Sequence, residues 1–215
     1  MSSGEEDEYG KFSKEMLQLQ EAMKSSGYSF GQVSGWDDDT QEIDDDSNPK
    51  SGPEREILRA AETGNLGVVQ RLLETDLQLM HVRDKDGYTP LHRACYNDHI
   101  DVVNHLLLKG ANIRAETEDG WQPLHSSCMW NNYRCVAKLL DHGADINATS
   151  KGGQTPLHLA ASNGQAKETL QLLLMNPYIR VEARNASNET ASNIAMRSNK
   201  HYRLFEMVEP CLSTL

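Results

Sequence analysis

Thr89-Pro90-Leu91-His92 returns as Gln122-Pro123-Leu124-His125 and again as Thr155-Pro156-Leu157-His158, with successive prolines 33 residues apart. Behind each Pro-Leu-His come two small residues: Ala94-Cys95, Ser127-Cys128 and Ala160-Ala161. An amphipathic stretch follows, ending in Leu-Leu at 106–107, 139–140 and 172–173, and Gly-Ala closes the first two units at 110–111 and 143–144. A period of this length marks a supersecondary unit that cannot bury its apolar face alone and does so against its neighbours.

Each recurring slot has a physical reason. Proline at the first position of a helix has its φ preset and lacks an N–H that would be orphaned there, and the preceding threonine hydroxyl accepts from the first turn. The small pair lets neighbouring helices approach closely. The chain must then turn tightly through a residue that tolerates left-handed backbone, for which Gly64, Asp98, Asn131 and Gly164 are the candidates. Gly-Ala and a later glycine (Gly87, Gly120, Gly153) frame a β-hairpin-like finger projecting from each helix pair.

Two degenerate units flank the three regular ones. Upstream, residues 57–66 keep the helix pattern but have Glu56 in the proline slot, and Leu72-Leu73 precedes Leu106-Leu107 by 34 residues. Downstream, Thr190-Ala191-Ser192-Asn193 replaces Thr-Pro-Leu-His after a two-residue insertion near Pro177, and Met207-Val208 stand in for the Leu-Leu pair. Terminal repeats of a solenoid are expected to be atypical because they cap the core. The pattern resembles the ankyrin-repeat family across residues 53–215. The resemblance implies an all-α ankyrin-repeat solenoid of helix-turn-helix units with β-hairpin fingers. Its five units lie at 53–83, 84–116, 117–149, 150–184 and 185–215, the first and last being degenerate caps.

A narrower likeness within that family is carried by Asp119-Gly120-Trp121, Pro123-Leu124-His125-Ser126, Cys128, Trp130-Asn131-Asn132, residues 172–176 and Leu204-Phe205-Glu206. It implies an intracellular, nuclear regulatory adaptor with no catalytic residues.

The charge is unevenly placed. Of the net −11, residues 1–52 hold 13 acidic and 4 basic side chains, or −9, leaving the other 163 residues at −2. Without clustered Lys and Arg the chain is not expected to bind nucleic acid or an anionic membrane. Its longest apolar runs, Leu106-Leu107-Leu108 and residues 172–175, fall far short of the roughly 20 residues that span a bilayer. The start, Met-Ser-Ser-Gly-Glu-Glu-Asp-Glu, does not read as a secretory signal. These features predict a soluble intracellular monomer, nuclear or cytoplasmic, the nuclear choice resting on resemblance. Cys95, Cys128, Cys135 and Cys211 form no CxxC element and are expected to be reduced. The sequons at Asn147, Asn185 and Asn188 are accordingly expected to stay unglycosylated.

Ankyrin stacks use finger tips and the exposed side of the first helices for protein partners. By register these are Lys85, Asp86, Tyr88, Tyr96 and Asn97, then Glu118, Asp119, Trp121, Met129 and Trp130, then Lys151, Gly152, Gln154, Ser162 and Asn163. Tyr88, Tyr96, Trp121, Met129 and Trp130 thus gather at the middle of the groove, although aromatics make up only 6% of the chain. These residue types are enriched at interfaces. The alternative is that they fill gaps between repeats, with Trp130 the most exposed to that reading.

In the acidic arm, composition predicts disorder over residues 1–52. Phe12, Met16, Leu19 and Met23 nevertheless fall on one face of a short helix expected at 12–24, and Trp36 stands directly before Asp37-Asp38-Asp39. Hydrophobic residues among acids match disordered activation segments. A solubilising tail and an autoinhibitory one remain open at this point. Two functions also stay open: a nuclear regulator of gene expression, and a cytosolic scaffold or assembly chaperone shielding a basic client.

Catalysis finds little support. His92, His125 and His158 share one slot, where a ring can bond the adjacent threonine or a finger backbone. Cys95 and Cys128 match small packing residues. No phosphate-binding glycine loop or HExxH is present, so no cofactor, metal or catalytic group is expected. The family resemblance also implies possible asparaginyl β-hydroxylation at Asn147, which follows Leu139, Asp145 and Ile146; Arg114 takes its place one unit earlier.

Overall fold

A computed structural model describes residues 52–207. The arm residues Phe12, Met16, Leu19, Met23 and Trp36, the helix expected at 12–24, and residues 208–215 with Cys211 lie outside the described residues.

Helices alternate with turns in a two-layer stack. The first helices of successive pairs are α1 (Pro53–Glu62), α3 (Pro90–Tyr96), α5 (Pro123–Met129) and α7 (Pro156–Ser162), followed by α9 (Ala191–Ser198). Their partners are α2 (Leu66–Thr75), α4 (Ile100–Leu108), α6 (Tyr133–Asp141) and α8 (Lys167–Leu174). The 3-10 turn Tyr202–Met207 stands where a fifth partner would be. Each first helix packs on the next first helix, and each second helix on the next second helix. Among the described residues there is no strand and no helix long and apolar enough to cross a membrane.

The repeated slots build the core. Ile57, Leu91, Leu124 and Leu157 are buried under the start of the first helices, and Leu73, Leu106, Leu139 and Leu173 under the end of the second. The small pairs are fully closed off: Ala94, Cys95, Ser127, Cys128, Ala160 and Ala161 are all at 0% exposure. A larger side chain in those positions would hold adjacent helices apart. Thr89, Thr155 and Thr190 cap the helices that follow them. In the first unit Pro53, at the first helical position, does the work of the missing proline three residues early, lengthening α1 to ten residues.

The second helices end as their Gly-Ala pairs suggest. Gly143 has φ +86, its N–H bonds Leu140 O at 3.0 Å, and Ala144 N–H bonds Leu139 O at 3.0 Å. This is the reciprocal pair that satisfies terminal carbonyls. Between helices, Gly64, Asp98 and Asn131 take the expected left-handed turn, with φ of +71, +58 and +61.

Gly164 departs from this pattern. It is not left-handed, because α7 leaves through an extended Asn163 (ψ 109) and α8 starts one residue later than its counterparts. One of the two extra residues therefore lies in this turn and the other near Pro177. The shift moves the buried leucine pair from 172–173 to Leu173 (0%) and Leu174 (6%), leaving Leu172 only partly covered.

The fingers are hairpins reduced to their turns. In each, an N–H bonds back three residues at the tip and the stem closes over four: Gly87 to Asp84 and Asp84 to Tyr88, Gly120 to Thr117 and Thr117 to Trp121, Gly153 to Ser150 and Ser150 to Gln154. Adjacent fingers are tied by single backbone bonds, Glu118 N–H to Asp86 O (2.9 Å) and Lys151 N–H to Asp119 O (3.0 Å). At Gly120, φ is +75 and a Cβ would sit 3.0 Å from Lys151 N. Gly120→Ala should therefore cost about 2–3 kcal/mol, strain plus a disturbed finger contact. Gly143→Ala, with the same sign of φ but open space around it, should cost about 1 kcal/mol. Equal losses in urea unfolding would show that the finger contact contributes nothing.

Candidate functional site

The face of the fingers and first helices is held in place by three buried histidines. His92 Nδ1 accepts from Thr89 N–H (3.2 Å) and from the Thr89 hydroxyl (2.9 Å), while Nε2–H donates to Trp121 O in the next finger (2.9 Å). His158 repeats the arrangement with Thr155 and Glu189 O (3.0 Å). His125 accepts from Gln122 N–H (3.0 Å) and reaches Gln154 O (3.1 Å). One acceptor and one donor on each ring require the neutral imidazole. Burial pushes all three below the usual histidine range, His92 to about 4. Each ring is thus a neutral staple between one helix start and the following finger.

Each finger also opens on a side-chain acceptor. Thr117 Oγ1 takes Trp121 N–H (3.1 Å), Ser150 Oγ takes Gln154 N–H (3.2 Å), and Asn185 Oδ1 takes Ser187 and Glu189 N–H (both 3.0 Å). Asp84 Oδ1 does the same for Asp86 and Tyr88 N–H (both 2.9 Å). Its second oxygen receives both Nε (3.1 Å) and an Nη (2.6 Å) of Arg93, in a pair whose side chains are 0% and 5% exposed. The guanidinium lies 4.9 Å from the Tyr88 ring centroid. The sequence reading missed this pair. A charge at Arg93, where the other two regular units have Ser126 and Leu159, facing the one acidic finger start, was the available signal.

Lys85, Glu118 and Lys151 project into solvent from the finger tips, as do Asp86 and Asp119. Tyr88 and Trp121 are half-buried. Tyr88 meets His92 edge-on at 5.6 Å, and Trp121 stacks on His125 at 6.5 Å. At the far end of the helices Tyr96 and Trp130 meet with centroids 4.9 Å apart and planes at 56°. Trp130 remains 40% exposed, so it is not core. Met129 is half-buried beneath Ser162, whose hydroxyl lies 3.8 Å from its sulfur.

The two asparagines that follow Trp130 tie its unit to both neighbours. Asn132 Nδ2 donates to Cys95 O and Tyr96 O (both 2.8 Å), gripping the preceding helix end. Asn131 Oδ1 accepts from Thr169 N–H (3.2 Å) and its hydroxyl (2.9 Å), gripping the following unit. The central unit is also the least satisfied internally. Gln122 Oε1 and Ser126 Oγ, both buried, have no hydrogen-bond partner among the described residues.

Three of the cysteines lie inside the fold. Cys95, Cys128 and Cys135 are buried and unpaired. Burial pushes the Cys128 thiol up, and a hydrogen bond with Cys95 together with burial does the same to Cys135. Neither carries thiolate at neutral pH. Among the described residues no group of three His, Cys, Asp or Glu is placed to hold a metal ion. Asn147 bridges two units: its Nδ2 donates to Tyr178 O and its Oδ1 accepts from Arg180 N–H, both at 2.8 Å.

The family pattern described as ankyrin repeats (three copies) matches residues 57–150 and 105–185. Ankyrin repeat domain-containing protein 49 of Bos taurus is 62% identical over 159 residues, covering 74% of this chain and 67% of that protein. The protein of the same name from Homo sapiens is 51% identical over 217 aligned residues, covering 94% and 90%. That from Drosophila melanogaster is 53% identical over 178, covering 82% and 83%.

Proposed function

The chain belongs to the ankyrin-repeat family, whose units serve as protein-interaction surfaces, and from that premise we propose that it is a non-enzymatic adaptor, a nuclear regulator of gene expression that holds a protein partner on its aromatic face. The observation that carries this reading is the Tyr96–Trp130 pair, a large aromatic surface left partly in water by residues that stacking does not consume. Tyr88, Trp121 and Met129 extend it toward the fingers, and Lys85, Glu118 and Lys151 supply a polar rim. The acidic, hydrophobic-studded composition of residues 1–52 supports a recruiting role in transcription. The protein acts as a monomer and reaches nucleic acid only through its partner.

Truncating a true anchor of this surface costs at least about 2 kcal/mol of binding, roughly thirtyfold in affinity. Proximity labelling in cells should compare the intact chain with a form lacking residues 1–52 and with the Trp121→Ala/Trp130→Ala variant. The expected pattern is labelling of nuclear transcription regulators that the double substitution abolishes while the folded amount stays close to normal. Unchanged labelling by the double variant would overturn the groove as the site. Labelling of a single cytosolic client would overturn the nuclear role.

A further inference from the structure

The aromatic face is set among carboxylates. Asp86, Glu118 and Asp119 are exposed at two adjacent finger tips beside Tyr88 and Trp121, and half-buried Glu62 ends α1 next to Tyr96. Against these stand Lys85, one finger further Lys151, and exposed Arg59 one turn before Glu62. Arg93 also lies near both tyrosines, paired with Asp84 inside the fold. The surrounding acids bear on both tyrosines. Burial is the main reason the Tyr88 and Tyr96 phenols sit above their ordinary range, and Asp84, Asp119 and Asp86 around Tyr88, and Glu62 near Tyr96, push the same way, with Arg93 opposing at each.

Resting on the reading of this face as the partner surface, we propose that its occupant is an extended basic segment of a protein partner. An arginine or lysine side chain of that segment lies on the Tyr96–Trp130 rings, and further cations face Glu62, Asp86, Glu118 and Asp119. The protein displays the mode within itself, in the guanidinium of Arg93 held 4.9 Å from the Tyr88 centroid. A cation is drawn to an aromatic face by the ring quadrupole, and nearby carboxylates raise its local concentration. The tilt of the Tyr96–Trp130 pair leaves indole surface open to such a group. An amphipathic helix is the poorer fit. It would want a continuous apolar strip, and here the apolar surface is broken by exposed Asn97 and by the finger acids.

The test uses the full chain, so that the −9 of residues 1–52 is present in every variant and its own attraction for cations cancels from the comparison. A library of random 12-residue peptides is panned on the protein, and the enriched peptides are synthesised with a fluorophore. Their affinities are measured by anisotropy against the parent, Trp130→Ala, and the surface variant Glu118→Lys/Asp119→Lys. Thermal unfolding of each variant gives the folded fraction used in the titration. Enriched peptides should carry Arg or Lys among apolar residues, and both variants should bind them about tenfold to thirtyfold more weakly, with steeper salt dependence in the parent. Acidic or purely apolar enriched peptides, or losses with Trp130→Ala but none with the charge reversal, would overturn the basic occupant while leaving the groove reading intact. Peptides whose affinity neither variant changes, or no enrichment at all, would overturn both.

Discussion

Replacing Asp84 by alanine should remove about 3–5 kcal/mol of folding stability, measured as the loss of free energy in urea unfolding. The substitution takes from the Arg93 guanidinium, at 5% exposure, the carboxylate that receives two of its N–H groups. It also releases two finger N–H groups, of Asp86 and Tyr88, that the carboxylate now accepts. The molecule supplies its own control, since the fourth unit solves the same positions with Ser150 and Leu159. Ser150 Oγ holds its finger by one bond to Gln154 N–H, and Leu159 is buried at 7%. Asp84→Ser with Arg93→Leu should therefore recover most of the loss, because replacing a buried ion pair by apolar packing is often close to neutral. The double-mutant cycle should show strong coupling. Additive losses would mean that the pair does not act as a unit.

The second large effect is acid lability. His92, His125 and His158 are neutral staples whose folded-state pKa values lie below the unfolded value of 6.5. Below that value the unfolded chain takes up protons that the folded chain refuses, so stability falls as pH drops and levels off beneath the folded pKa. For His92, held near 4, the loss between pH 6.5 and 4 amounts to roughly 3 kcal/mol, and the other two add to it in the same direction. Urea unfolding should therefore show a marked loss of stability between pH 7.5 and 5. Asn193 points to the control. It takes the histidine slot in α9, where its Oδ1 accepts from Thr190 N–H at 3.1 Å, and an amide does not titrate. His92→Asn lowers stability at neutral pH by losing the bond to Trp121 O, yet should flatten the pH slope. An unaltered slope, or equal stability at the two pH values, would remove the histidines as its cause.

The helix starts, the small-residue pairs, the left-handed turns at Gly64, Asp98 and Asn131 and the role of the three histidines were legible because each recurs at fixed register. Where register slips, reading failed. One added residue between α7 and α8 took Gly164 out of its turn and moved the buried pair to Leu173 and Leu174. A two-residue insertion has the same length wherever it is placed, and only packing decides how it divides.

Trp130 shows the other limit. Asn97, Trp130 and Asn163 occupy one slot, and Asn163 turns its amide back to Met129 O at 2.8 Å. Trp130 carries an indole in place of that amide. It lies instead on Tyr96 and keeps 40% of its surface in water. The pattern named the slot, but the size and polarity of the neighbours set the depth. Asp84 and Arg93 likewise meet only because the finger folds over the first helix.

The sequence by itself determined the solenoid, its period and the acidity concentrated in residues 1–52, since these follow from local propensities repeated every 33 residues. Tertiary structure decided which side chains of that repeat are open to a partner. Exposure is a property of contacts between units, and no single repeat contains it.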